Sequence, residues 1–267
     1  MDIKEQIKEV FEALQGKRAL IHHITNYVTV NDCANVVLAI GASPIMADEI
    51  GEVEEMVGIC DALVLNIGTA NERTIASMLN AGKAANTKGI PVVLDPVGVG
   101  ATTFRHESVA KLMEAISFSV IRGNMAEIKT IAGLEAKSSG VDSLEEESDG
   151  AKIALSLAQR LGCVIVITGK SDIVTDGKVC YVLENGDVAL TNVTGTGCMS
   201  TSLIGSFLGA SNNALASAIA GILTMSIAGE IADKSKGMGT FHTSLMDAIS
   251  KMNVEIIREK SKISLYK

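Results

Sequence analysis

Short apolar, β-rich bursts alternate with Ala-rich stretches of helical spacing along the first two thirds of this chain, a pattern that demands a parallel sheet layered with helices. Residues 62–67 (ALVLNI), 91–95 (PVVLD), 119–122 (SVIR) and 163–168 (CVIVIT) each read as a strand buried on both faces. Between them, residues 72–88, 107–116, 125–132 and 150–161 read as helices. After Thr168 the pattern changes. Residues 172–175 and 178–183 read as strands, with Asp176-Gly177 and Asn185-Gly186 as tight turns, which predicts a small antiparallel meander on the sheet edge.

Residues 197–260 carry helical spacing, and the near absence of charge before Glu230 predicts burial there, in the core or between subunits. The acidic stretch 135–150 (EAKSSGVDSLEEESDG) reads as a solvated loop. At 267 residues, with no linker and no internal repeat, the chain is expected to form one α/β domain. Its apolar runs are broken well short of the roughly 20 residues a membrane helix needs. Residues 1–17 are charged and helical in pattern rather than a signal peptide, so a cytoplasmic protein is the expectation. A net charge of −8 without a basic stripe argues against nucleic acid as partner. Five widely spaced cysteines without a CxxC pair indicate neither a disulfide framework nor a zinc site; four read as core fillers, and Cys198 stands apart.

Four motifs carry chemistry. Residues 192–199 (NVTGTGCM) form a Gly-rich turn running into an apolar helix, which aims backbone N–H groups and a helix dipole at one anion. Gly195 and Gly197 let the backbone approach a phosphate or a developing charge closely. In residues 94–101 (LDPVGVGA), Asp95 closes a buried strand where the ligand crevice of a parallel sheet lies; it either holds Mg²⁺ through water or caps the turn beside Pro96. In residues 122–127 (RGNMAE), Asn124 and Glu127 have the spacing of a capping box, while Arg122 is placed to pair with a polyphosphate and Asn124 and Glu127 to face Mg²⁺. Residues 167–171 (ITGKS) lack the first Gly of a P-loop and lead into a strand, so the tripeptide GKS is a false match; Thr168, ending its strand, is still placed to touch a nucleotide phosphate.

Taken in order, Thr25-Asn26, residues 41–46 (GASPIM), residues 66–69 (NIGT), DPVGVGAT, IRGNMAEI, VITGKSD and VTGTGCM resemble the hydroxyethylthiazole kinase family across essentially the whole chain. The resemblance implies a ribokinase-like fold, with Mg²⁺-ATP along the carboxyl edge of the sheet and a thiazole alcohol aimed at the γ-phosphate. It implies Met46 and Gly195 at the thiazole, Asn26, Val28 and Gly68 in the alcohol pocket, Arg122 and Thr168 at ATP, and Asp95 and Glu127 near Mg²⁺. It also implies a homotrimer with alcohol pockets between subunits. Residues 25–40 and 42–46 fit that assembly, being apolar without a convincing strand-helix core of their own.

Many ribokinase-like enzymes place an Asp base where this chain has Cys198, a residue hydroxyethylthiazole kinases accommodate. A helix amino end favours a thiolate there, and a nearby polyphosphate opposes it. Positioning is expected to outweigh base catalysis in phosphoryl transfer. The alternatives are a kinase for another small alcohol, such as a pyridoxal-like or hydroxymethylpyrimidine compound, a nucleotide-dependent NAD(P)H-hydrate dehydratase, and a regulatory protein without turnover.

Overall fold

A computed structural model describes residues 2–134 and 143–266. Its strands are β1 (Leu20–Ile24), β2 (Ser43–Met46), β3 (Ala62–Asn66), β4 (Val92–Asp95), β5 (Val120–Asn124), β6 (Val164–Thr168), β7 (Asp172–Thr175), β8 (Cys180–Leu183) and β9 (Ile263–Leu265). They pair in the order β2-β1-β3-β4-β5-β6-β7-β8-β9. From β2 to β6 every pairing is parallel, and from β6 to β9 every pairing is antiparallel.

The helices are α1 (Ile3–Gly16), α2 (Val30–Ala39), α3 (Val53–Val57), α4 (Glu72–Lys88), α5 (Thr103–Ala115), α6 (Met125–Ala132), α7 (Ser143–Leu161), α8 (Thr196–Ala210), α9 (Ala214–Ile231), α10 (Met238–Ser250) and α11 (Val254–Lys260). The strand period of two divides them into layers. Val64, Val93, Val120 and Val166 pack with α1, α2, α8, α9 and α10. Their neighbours Leu63, Leu65, Leu94, Ile121 and Ile165 pack with helices α3 to α7 on the opposite face.

The strands read from the apolar bursts stand within a few residues of their places, and the edge meander is real. Four expectations are corrected. Residues 135–142 lie outside the described residues, but residues 143–150, read as loop, begin α7; Leu and Glu residues after Ser143 are strong helix formers, and acids suit a helix amino end. Asn185-Gly186 makes no hairpin and leads instead into a short 3-10 turn, Val188–Asn192. Asn185 is held by its own contacts, donating to Glu230 and to the Lys260 carbonyl and accepting from Lys262 N–H.

Residues 25–46 do form strand and helix: Cys33, Val36, Val37 and Ala42 are buried by this chain itself. Finally, the uncharged stretch before Glu230 is buried within the chain rather than between subunits. Both α8 and α9 are buried nearly all round. α9 is the one described helix long and apolar enough to cross a membrane, and 78% of it is buried inside the protein.

Strand β1 escaped the sequence pattern because His22 and His23 interrupt it. Both rings are buried, His22 Nε2 lying 2.7 Å from the Ala47 carbonyl and His23 Nδ1 3.1 Å from that of Ile21. Burial pushes His23 down to about 4, so the ring is neutral at physiological pH and behaves as core.

Candidate active site

The parallel strands end on one edge, and their last residues are polar. Asn66 ends β3 and stands in register with Asp95 at the end of β4; Asn124 ends β5 opposite Thr168 at the end of β6. The amino end of α8 points at this row. Gly195 is its N-cap, in the left-handed region at φ 86°, with no side-chain cap over the first turn. That conformation favours glycine, and space enforces it too: a Cβ on Gly195 would lie 2.5 Å from Thr29 Cγ2. A Cβ on Gly197 would lie 2.6 Å from Arg122 Nη1. The two glycines thus bring a bare helix end against Thr29 on one side and a guanidinium on the other.

On the guanidinium side, Arg122 Nη2 donates to Thr168 Oγ1 at 2.5 Å, and Nη1 lies 3.7 Å from Asp95 Oδ1. Asp95 is fully buried, and its Oδ2 accepts from Asn66 Nδ2 at 2.8 Å and Thr201 Oγ1 at 2.9 Å. Oδ1 has no hydrogen-bond partner. Burial raises this carboxyl to about 6 despite the opposing charge of Arg122. Asp172 is a second buried carboxyl under the same influence, also raised to about 6 by burial and eased by the Gly169 N–H and by Arg122. Arg122, Thr168, Asp172, Gly197 and Met225 line a cavity of about 540 Å³.

Asn124 and Glu127 form the capping box read from the sequence. Asn124 Oδ1 accepts from Glu127 N–H at 2.9 Å, and Glu127 Oε2 accepts from Asn124 N–H at 2.7 Å. Glu127 does more, because Oε1 accepts from Gly98 N–H at 2.9 Å and so holds the Gly-rich loop after Asp95. A cavity of about 620 Å³ lies along this loop and α6, with Glu127 in its wall. Among the described residues, no three His, Cys, Asp or Glu side chains form a metal cage.

On the Thr29 side the groups nearest α8 are neutral. Asn26 Nδ2 donates to Asn66 Oδ1 at 3.0 Å, and Cys198 Sγ lies 3.4 Å from Asn26 Nδ2 and 3.2 Å from Asn66 Nδ2. Cys198 departs from the helix-end expectation: burial first, and the charge of Asp95 second, raise its thiol above the ordinary value. Met46 and Asn66 line a cavity of about 350 Å³ together with His23, Met78 and the ion-paired Asp48 and Arg73, 2.8 Å apart. Gly68 donates its N–H to Asn66 Oδ1 at 2.9 Å. Val28 lies outside these walls, 57% exposed.

Several residues here carried no sequence signal as site groups. Arg105, in the first turn of α5, donates to the carbonyls of Ile67, Gly68 and Val97 at 2.9, 2.6 and 2.7 Å, tying together the loops that follow β3 and β4. Thr201, one turn beyond Gly197, was indistinguishable from the other small residues of α8. Asn66 lay in a quoted motif without a role. Asp172 offered one overlooked clue, an acid opening a strand of otherwise buried residues.

Residues 11–255 match the hydroxyethylthiazole kinase family. A protein of Alkaliphilus oremlandii named hydroxyethylthiazole kinase is 52% identical over 98% of this chain and 99% of its own length. The solved structure of a hydroxyethylthiazole kinase from Pyrococcus horikoshii superposes with a TM-score of 0.90 at 34% identity, covering 98% of this chain and 100% of that one. A Staphylococcus aureus pyridoxal kinase solved with AMP-PCP and pyridoxal shares the ribokinase-like fold, with a TM-score of 0.62 at 13% identity over 94% of this chain and 99% of its own.

Proposed function

The chain belongs to the hydroxyethylthiazole kinase family, and from that premise we propose that it transfers the γ-phosphoryl group of ATP to the primary alcohol of 4-methyl-5-(2-hydroxyethyl)thiazole, salvaging a thiamine precursor. The observation that carries this reading is the bare amino end of α8, set between the neutral groups of Asn26, Asn66 and Cys198, beside the cavity that Met46 lines, and a charged cavity walled by Arg122 and Thr168. In the transfer, the alcohol oxygen forms a bond to the γ-phosphorus, the bond to the ADP oxygen breaks so that ADP leaves with the bonding pair, and the alcohol proton passes to solvent. Arg122 and the unpaired N–H groups at the start of α8 hold the phosphoryl oxygens in line and stabilise the charge spreading over them. Thr168 orients the guanidinium from behind. Cys198, kept as a thiol, borders the acceptor without having to deprotonate it, because the transition state is loose and the proton leaves late.

Asp95 and Glu127 would hold the Mg²⁺ that accompanies ATP, and the ion would supply positive charge to the polyphosphate. The buried, unpartnered Oδ1 of Asp95 suits a water of its hydration shell. Glu127, with one N–H bonded at each oxygen, would be the second acid near it. Five free cysteines, four of them buried, suit a reducing cytoplasm.

Assembly as a homotrimer with shared alcohol sites is part of the same reading. Tyr27 and Val28 are 78% and 57% exposed beside Asn26, and β2 is an outer strand; a neighbour seated there would cover them. The test of activity is a panel of thiazole, pyridoxal-like and hydroxymethylpyrimidine alcohols with Mg²⁺-ATP, scored by phosphorylated product. Phosphate on the thiazole alcohol is the result expected; phosphate only on another alcohol would overturn the substrate. Light scattering should give a trimer, and a mixture of Met46→Ala and Arg122→Ala proteins should recover activity that neither has. A monodisperse active monomer would end the shared-site model.

A further inference from the structure

The neutral wall of the crevice has a centre. Each orientation in it is fixed by a backbone N–H, so no amide is free to turn over. Gly68 N–H donates to Asn66 Oδ1, which forces the Asn66 NH₂ toward Asp95 Oδ2 at 2.8 Å and Cys198 Sγ at 3.2 Å. Thr29 N–H donates to Asn26 Oδ1 at 3.0 Å, which forces the Asn26 NH₂ toward Asn66 Oδ1 at 3.0 Å and Cys198 Sγ at 3.4 Å. The four N–H bonds of the two amides are therefore all assigned, and two converge on one sulfur.

Asn66 is 2% exposed, and the backbone closes over it: a Cβ on Gly68 would lie 3.0 Å from Asn66 Oδ1 and 3.0 Å from Asn26 Cβ. A buried amide with every donor and acceptor used is rigid, because turning it would leave polar groups unpaired. With both asparagines donating, sulfur acts only as acceptor toward them. The one donor left to Cys198, its S–H, is turned away from this pair.

We propose that Asn66 is a positioning residue of the transfer step, holding the Cys198 sulfur in one orientation and joining it to Asp95 through the two N–H bonds of a single carboxamide. The inference rests on the kinase reading for its consequence but not for its geometry. Asn66 stands at the crossing point: it is hydrogen-bonded to a group of the charged wall and to a group of the neutral one.

A double-mutant cycle tests it. Asn66→Ala should lower kcat about tenfold or more while the KM for the alcohol moves less than about threefold, the mark of geometry needed only in the transition state. Cys198→Ala should cost severalfold in the wild-type background and nothing further when Asn66 is already Ala. An equal cost of Cys198→Ala in both backgrounds, no cost in either, or a rise in KM with kcat unchanged would each overturn the proposal. Asn66→Asp, nearly the same size, guards against misfolding by the smaller residue and should lose at least as much kcat; wild-type turnover in it overturns the proposal.

A readout independent of turnover is alkylation of Cys198 by iodoacetamide at neutral pH, followed by mass spectrometry, the other four cysteines being buried. Asn66→Asp removes an N–H donor to sulfur and adds negative charge, so the rate should fall about threefold or more; an unchanged rate overturns the coupling. Should the wild type phosphorylate no thiazole alcohol, the substrate reading falls, and this alkylation result still decides the role of Asn66.

Discussion

On the Thr29 side of the α8 amino end the groups nearest the helix are neutral: the amides of Asn26 and Asn66, a thiol, and an imidazole kept uncharged by burial, the charges of the cavity beyond them being the mutually paired, half-exposed Asp48 and Arg73. On the other side charge dominates, with the Arg122 guanidinium 3.7 Å from the buried Asp95 carboxyl and partly offsetting the burial that raises Asp172. The neutral wall works by shape and bond direction and is indifferent to pH near neutrality. The charged wall works by electrostatics that burial both strengthens and makes costly. Perturbations of charge and of shape should therefore separate the two.

The largest effect is expected from Arg122→Ala, which removes the cation beside the buried Asp95 carboxyl and the group proposed to meet the polyphosphate. kcat/KM for ATP should fall by about 10²–10³, while calorimetry shows thiazole binding nearly intact. Equal losses of both ligands would merge the two walls into one unit.

Next comes pH. Burial holds Asp95 at about 6 in the fold, against about 3.9 in an unfolded chain. The native protein keeps that proton where the unfolded chain has released it, so this contribution to stability is complete below pH 4 and is lost as pH rises through 6. Asp95→Asn lacks the loss. Its stability relative to the wild type, measured by urea unfolding, should improve from pH 4 to pH 7 by up to about 3 kcal/mol. A difference that stays flat would place Asp95 outside the buried charge network.

On the neutral side, Gly195→Val forces a branched residue into a left-handed position and its Cβ to within 2.5 Å of Thr29 Cγ2. A fall in kcat of about tenfold or more is expected, from strain of about 1–2 kcal/mol plus displacement of Thr29. The smallest effect belongs to Cys198→Ser, which keeps a polar group and should cost less than about fivefold. If this order were reversed, base catalysis would outrank positioning.

The alternation of bursts and helices was enough to read the sheet from β3 to β6, because those strands are buried on both faces and look nearly continuous in sequence. Strands β1 and β2 were not legible: His22 and His23 break the first, and Pro44 interrupts the second, as an outer strand permits. The capping box of Asn124 and Glu127 was readable from spacing alone, because its bonds are local. The bond from Gly98 N–H to Glu127 was not, spanning residues far apart in the chain. The same holds for Asn66, whose partners Asn26, Asp95 and Cys198 come from three separate segments. The raised thiol of Cys198 was not legible, because a helix amino end is visible in sequence, whereas the burial and the neighbouring carboxyl that raise it are not.

Arg105 has a mechanical consequence. One guanidinium bonds the carbonyls of Ile67, Gly68 and Val97, so the loops following β3 and β4 share a single fastening. Neither loop can swing outward without breaking bonds that also restrain the other. In hydrogen–deuterium exchange their slow amides should therefore open as one cooperative unit, and Arg105→Lys, unable to hold three carbonyls in a planar fork, should split that unit into two rates. Through this fastening, the loop beside Asn66 and the loop that follows Asp95 should breathe together.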